Sequence, residues 1–132
     1  MNYKCILISV YLALMSVLIG QAQENGSRLA YSFDFENVTV EVADPDQIIL
    51  FGSRARGDFN AKSDYDIFFF IKDGARSHKV IGDIEKALFF KGINVMIDFV
   101  TSTKSMYEEM TNKESFVFKS IKKEGKVIYE RV

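Results

Sequence analysis

Ten residues separate Gly52-Ser53 from Asp64-Tyr65-Asp66, and each end of that interval borders a strand-like run. The first run, Gln47-Ile48-Ile49-Leu50-Phe51, is short, apolar and partly β-branched, and lies between Asp44-Pro45-Asp46 and Gly52, which predicts a buried strand rather than a helix. Gly52 opens backbone conformations closed to other residues and allows close approach to a ligand. Ser53 adds a hydroxyl, and the amides that follow can converge on a phosphate chain. The second run, Asp64 to Ile71, reads as another strand, whose period of two puts Asp64 and Asp66 on one side and Tyr65 and Ile67 on the other. A tight turn is thereby set against two aligned carboxylates, an arrangement suited to a metal and a nucleotide.

Beyond Asp66 both faces of the second run are apolar, as in a strand covered on two sides, so paired negative charges at its mouth repel unless a cation neutralises them. Hard oxygen ligands of this kind suit Mg²⁺, which takes one or two protein carboxylates and completes its shell with water and substrate phosphates. The plainer alternative has Asp64 starting a strand after a Lys62-Ser63 turn and Asp66 facing solvent. A third run, Ile93 to Val100, carries Asp98 as its only charge, between Ile97 and Phe99. A carboxylate buried there needs compensation. If the two strands are neighbours, the same cation site supplies it, and Asp98 can coordinate a metal and orient or deprotonate an attacking hydroxyl. Otherwise Asp98 sits at a sheet edge with its head in water.

The stretch Ile48-Ile49-Leu50-Phe51-Gly52-Ser53-Arg54-Ala55-Arg56-Gly57-Asp58, continuing through Ser63-Asp64-Tyr65-Asp66-Ile67, resembles the minimal nucleotidyltransferases of the DNA polymerase β-like superfamily. Their hallmark is G-S, about ten residues, then D-x-D. The tail, Glu114 to Phe118 running into Ile121 to Tyr129, is similar too, so the likeness covers roughly residues 44 to 130. It implies an α/β (α+β) fold with a mixed β-sheet flanked by helices. It also implies that Gly52 and Ser53 hold the nucleotide's terminal phosphates, and that Asp64, Asp66 and Asp98 form a two-metal Mg²⁺ site with ATP as substrate. Arg54 and Arg56 follow the turn where a guanidinium can meet phosphate bidentately; a solvated loop charge, or a pairing with Asp58, is the alternative for each. Small proteins of this type often act as antitoxins beside a helical HEPN-type toxin, some transferring AMP to a tyrosine of that partner. A non-catalytic binding module and transfer to a small molecule are the competing functions, and the complete carboxylate set favours catalysis.

With 132 residues, 48% of them hydrophobic, the chain can bury one small core, in which twelve Phe and no Trp make aromatic packing dominant. A net charge of −1 disfavours general nucleic-acid binding and a polymerase-like role. Residues 1–22 stand apart from the expected transferase domain, 23–132. Lys4 precedes an apolar stretch from Cys5 to Ile19, and Gly20-Gln21-Ala22 has the small-x-small form of a signal-peptidase site. A true export signal, an apolar helix that docks a partner and an over-extended start all fit this pattern. A site that needs nucleotide favours a cytoplasmic protein, with export as the alternative. Cys5 is the sole cysteine, so no internal disulfide forms.

Elsewhere, Tyr31, Phe33 and Phe35, then Val38, Val40 and Val42, alternate with polar residues, predicting a hairpin around Glu36-Asn37 where the family usually places a helix. Ser77 is expected to cap a helix toward Phe90, with Val80, Ile81, Ile84, Ala87 and Leu88 inward and Gly92 as its stop. His78 is expected to face solvent. One final helix is expected from Ser105 to Lys123, with Met106, Met110, Phe116 and Phe118 in the core.

Overall fold

The computed structural model describes residues 26–132, with side chains from Asp34 onward. The apolar segment 1–22 and the boundary at residue 23 lie outside the described residues. Helix α1 (Gly26–Ala43) occupies the stretch expected to be a hairpin. Phe35, Val38 and Thr39, at helical i, i+3, i+4 spacing, are all buried, and the Thr39 hydroxyl donates to the Phe35 carbonyl at 2.8 Å. Alternating β-branched residues favour a strand locally. Packing one helical face onto the core overrides that preference, which is worth only tenths of a kcal/mol per residue. Asp44 then adopts a left-handed φ of 47°, its N–H bonding the Val40 carbonyl at 3.0 Å, and Pro45 ends the helix.

Strand β1 (Gln47–Phe51) matches the expected run and leads directly into a one-turn helix, α2 (Gly52–Arg56). Then come β2 (Tyr65–Phe70), α3 (Ser77–Phe90), β3 (Ile97–Ser102), α4 (Lys104–Asn112), α5 (Phe116–Glu124) and β4 (Lys126–Glu130). The sheet order is β3-β2-β1-β4. Strands β2 and β3 are parallel, joined across α3, and the other two pairs are antiparallel, giving the mixed sheet of an α+β fold. Side-chain alternation divides the interior into two clusters. Ile48, Leu50, Ile67 and Phe69 pack with Phe35 and Val38 of α1 and Ile84 and Leu88 of α3. Phe51 and Phe68 pack on the other face with Tyr107 of α4 and Phe118 and Ile121 of α5.

Helix α3 begins at Ser77, but the Ser77 hydroxyl pairs with the Thr101 hydroxyl instead of capping the helix. Its C-terminus is a Schellman motif: Gly92 has φ 70°, its N–H bonds the Phe89 carbonyl, and the Ile93 N–H bonds the Leu88 carbonyl, both at 3.0 Å. His78 is exposed. The single helix expected from Ser105 to Lys123 is two helices, broken at Glu114, whose φ is 66°. The Thr103 hydroxyl caps the first by accepting from the Met106 N–H at 3.2 Å. The break rotates the face that points inward, so Met106 and Phe116 are 54% and 83% exposed, contrary to their expected core role. Tyr107 takes the inward place, 5.5 Å from Phe118 between ring centroids. Among the described residues no helix is long and apolar enough to cross a membrane.

Candidate active site

The end of β1 carries the chain over the start of β2. Phe51 pairs with Asp66, so the next residue, Gly52, lies against the Asp66 carboxylate. Gly52 has φ 70°, and a Cβ placed there would stand 2.0 Å from Asp66 Oδ2. Only glycine permits both this backbone conformation and this approach. Asp66 is also the register partner of Asp98 across the parallel β2–β3 pair. Alternation points both toward the face covered by α4 and α5, while Tyr65 and Ile67 point toward α1 and α3. Asp64 immediately precedes β2, so it is held by its loop rather than by the sheet.

Asp66 is half-buried, and its carboxyl is pushed above its ordinary pKa first by loss of solvent, then by the negative charges of Asp98 and Asp64, with Glu124 adding to them and Arg56 opposing them. Asp98 differs from expectation. It is exposed, because β3 is the outer strand of the sheet, and its strand runs Ile97–Ser102 rather than starting at Ile93. Water therefore reaches Asp98, whereas Asp66 gives up part of its solvent beside the other two charges.

Among the described residues no lysine or arginine forms an ion pair with Asp64, Asp66 or Asp98, and no three acidic, histidine or cysteine side chains stand grouped so as to hold a metal ion by themselves. Asp66 lies near enough to feel the charges of Asp98 and Asp64, with Arg56 opposing them, and all three carboxylates offer hard oxygen donors. That chemistry fits Mg²⁺, which needs few protein ligands and brings its own waters.

The two arginines after the turn have different surroundings. Arg54 donates from Nε and Nη2 to the Ser63 carbonyl at 3.0 and 2.7 Å. Its guanidinium carbon lies 4.0 Å from the Tyr65 ring centroid and 4.8 Å from that of Phe59. Arg56 reaches the surface, pairing with Asp58 at 3.3 Å and Glu124 at 2.9 Å. Ser53 is half-buried in the first turn of α2, whose preceding residue, Phe51, offers no side-chain cap to the helix amides. Glu124 is a carboxylate of this site that the sequence pattern does not single out. It lies sixty residues from the motif in a Lys-rich segment, and only the packing of α5 beside α2 brings it near Arg56 and Asp66.

The chain belongs to the polymerase β nucleotidyltransferase family, whose model matches residues 35–132 and so takes in the C-terminal half of α1 as well as the motif. No curated protein matches the chain. Among solved structures, a toxin–antitoxin structure with AMP-PNP aligns at TM-score 0.48 and 16% identity, over 74% of this chain and 73% of that one. A protein from Sulfolobus solfataricus described as a candidate nucleotidyltransferase aligns at TM-score 0.45 and 17% identity, over 83% and 92%. At these scores neither alignment carries an argument about activity.

Proposed function

We propose that this nucleotidyltransferase is Mg²⁺-dependent and transfers AMP from ATP to a hydroxyl of a partner protein, as the antitoxin beside a small helical HEPN-type toxin. The observation that carries the reading is Asp66, held against the Gly52 backbone and in register with Asp98, with no lysine or arginine among the described residues ion-paired to Asp64, Asp66 or Asp98. Asp64, Asp66 and Asp98 would hold the metal, which when bound neutralises charge on the triphosphate and on the attacking oxygen. Gly52 and Ser53 present backbone amides and a hydroxyl to the terminal phosphates. Arg56 is exposed and paired with the exposed Asp58 and the half-buried Glu124, so it is able to exchange these carboxylates for phosphate oxygens. Asp98, on the outer strand and open to solvent, is the carboxylate that an incoming acceptor meets first, and it orients the hydroxyl and accepts its proton. The acceptor oxygen then bonds to the α-phosphorus as pyrophosphate leaves.

The resemblance of the motif and tail to minimal nucleotidyltransferases supports the choice of AMP and of a protein acceptor. Incubating the protein with ATP labelled at the α-phosphate and at the γ-phosphate, with and without Mg²⁺ and a co-expressed helical partner, tests it. Label from the α-position alone is expected on the partner, only with metal. Equal labelling by Asp66→Asn would overturn the metal assignment. Partner binding without label would instead make the chain a binding module, and label on a small molecule would relocate the acceptor.

A further inference from the structure

Asp64 is the one proposed metal ligand that the sheet does not hold. Asp66 has strand partners on both sides and Asp98 is paired with it across the β2–β3 ladder, whereas Asp64 ends an eight-residue loop that leaves α2 at Gly57. We propose that Arg54 is the residue that fixes Asp64, acting on the protein's own backbone rather than on the nucleotide. This rests on the metal reading above.

The contacts of Arg54 are spent inward. Two of its three nitrogens donate to a single acceptor, the Ser63 carbonyl, in the peptide that leads into Asp64. The residue on the other side, Tyr65, is anchored by its own N–H to the Met96 carbonyl at 2.9 Å, and its ring lies under the Arg54 guanidinium. Asp64 is therefore gripped through both neighbours. The loop before it supplies a firm base: the Asn60 N–H bonds the Ser63 hydroxyl at 2.9 Å, the Ser63 N–H bonds the Asn60 carbonyl at 3.1 Å, and the Asn60 side chain accepts from the Lys62 N–H at 2.8 Å. Phe59 extends the aromatic surface around the guanidinium. A planar fork stacked on aromatic rings suits this geometry, and a lysine cannot reproduce it, since its single ammonium neither forks onto the carbonyl nor lies flat on Tyr65. Because Arg54 sits in the same short helix as Ser53, the turn that receives phosphate and the loop that aims Asp64 are mechanically one piece.

The test is Mn²⁺ binding to the full chain without nucleotide, read by electron paramagnetic resonance, for wild type, Arg54→Lys, Arg54→Gln and Phe59→Leu. Each Arg54 variant should bind Mn²⁺ about tenfold or more weaker, the range seen when groups that orient a ligand are removed. Phe59→Leu should fall between them and wild type. Circular dichroism should be unchanged, and transfer by Arg54→Lys should recover at high Mn²⁺ with KM for ATP near wild type. Should Arg54→Gln fail to fold, Arg54→Lys and Phe59→Leu still decide the matter. Wild-type Mn²⁺ affinity in Arg54→Lys, or a defect seen only as weakened ATP binding, overturns the proposal. If wild type itself binds no Mn²⁺, the metal reading falls first and takes this inference with it.

Discussion

Replacing Gly52 by alanine tests the geometry of the site through two separable effects. The backbone there has φ 70°, and an added Cβ meets Asp66 Oδ2 at 2.0 Å, Cγ at 2.8 Å and Cβ at 3.2 Å. The left-handed conformation alone costs an alanine roughly 1–2 kcal/mol. Relieving the contact requires Asp66 to leave its rotamer, adding roughly 0.5–1.5 kcal/mol. Gly57 supplies the control, since its φ is 90° but no atom lies within 4 Å of an added Cβ. Gly57→Ala should therefore lose only the conformational part, about 1–2 kcal/mol, and Gly52→Ala about 1.5–3.5 kcal/mol by the same estimates. In urea unfolding the two variants should differ by this increment. In Mn²⁺ binding they should differ far more, because only Gly52→Ala displaces a proposed ligand, Asp66. If Gly52→Ala matched Gly57→Ala in both stability and Mn²⁺ affinity, the close approach of the turn to Asp66 would be refuted.

Three further outcomes are expected. Asp66 has a folded-state pKa raised above its ordinary value, and burial pushes Glu36 up to about 7, so the folded state holds these protons more tightly than the unfolded chain. The contribution of these two groups to metal-free stability should then be greatest in acid and fall as pH rises from about 4 toward 7; Asp66→Asn and saturating Mg²⁺ should each remove only the Asp66 part, as melting curves across pH will show. Phe68→Ala, at a fully buried position bridging β2, α4 and α5, should lose roughly 3–5 kcal/mol, whereas Phe116→Ala at an 83% exposed position should stay within about 0.5 kcal/mol in the same urea assay. A chain lacking residues 1–22 should fold and bind Mn²⁺ like the full chain, because every proposed ligand lies at or beyond Gly52. Aggregation or loss of helical dichroism in the shortened form would count against the division at residue 23.

The motif was legible because its chemistry is local. A glycine turn and a D-x-D pair lie within fifteen residues, and β1 and the crossover helix α3 stand where the pattern predicts, but β2 begins at Tyr65, so strand alternation places Asp66 and leaves Asp64 to its loop. Where two periodicities fit one segment, the sequence misleads. Residues 31–42 alternate like a hairpin, yet Phe35, Val38 and Thr39 also form a helical face, and only the presence of α3 and the sheet beside them decides between the two. The break at Glu114 is similar, for nothing near Met106 or Phe116 says which turn will face the core.

The deepest division concerns charge. Sequence alone supplies Asp64, Asp66 and Asp98 as candidates, and it makes Asp98 look buried because its neighbours are apolar. Tertiary structure puts β3 at the sheet edge, exposes Asp98, and half-buries Asp66 beside it, where loss of solvent and the neighbouring charges raise its pKa. It also turns Arg54 inward and Arg56 outward, although both follow the same turn. Burial and the sign of the surrounding potential depend on which distant segments pack together, and no local pattern of residues contains that information.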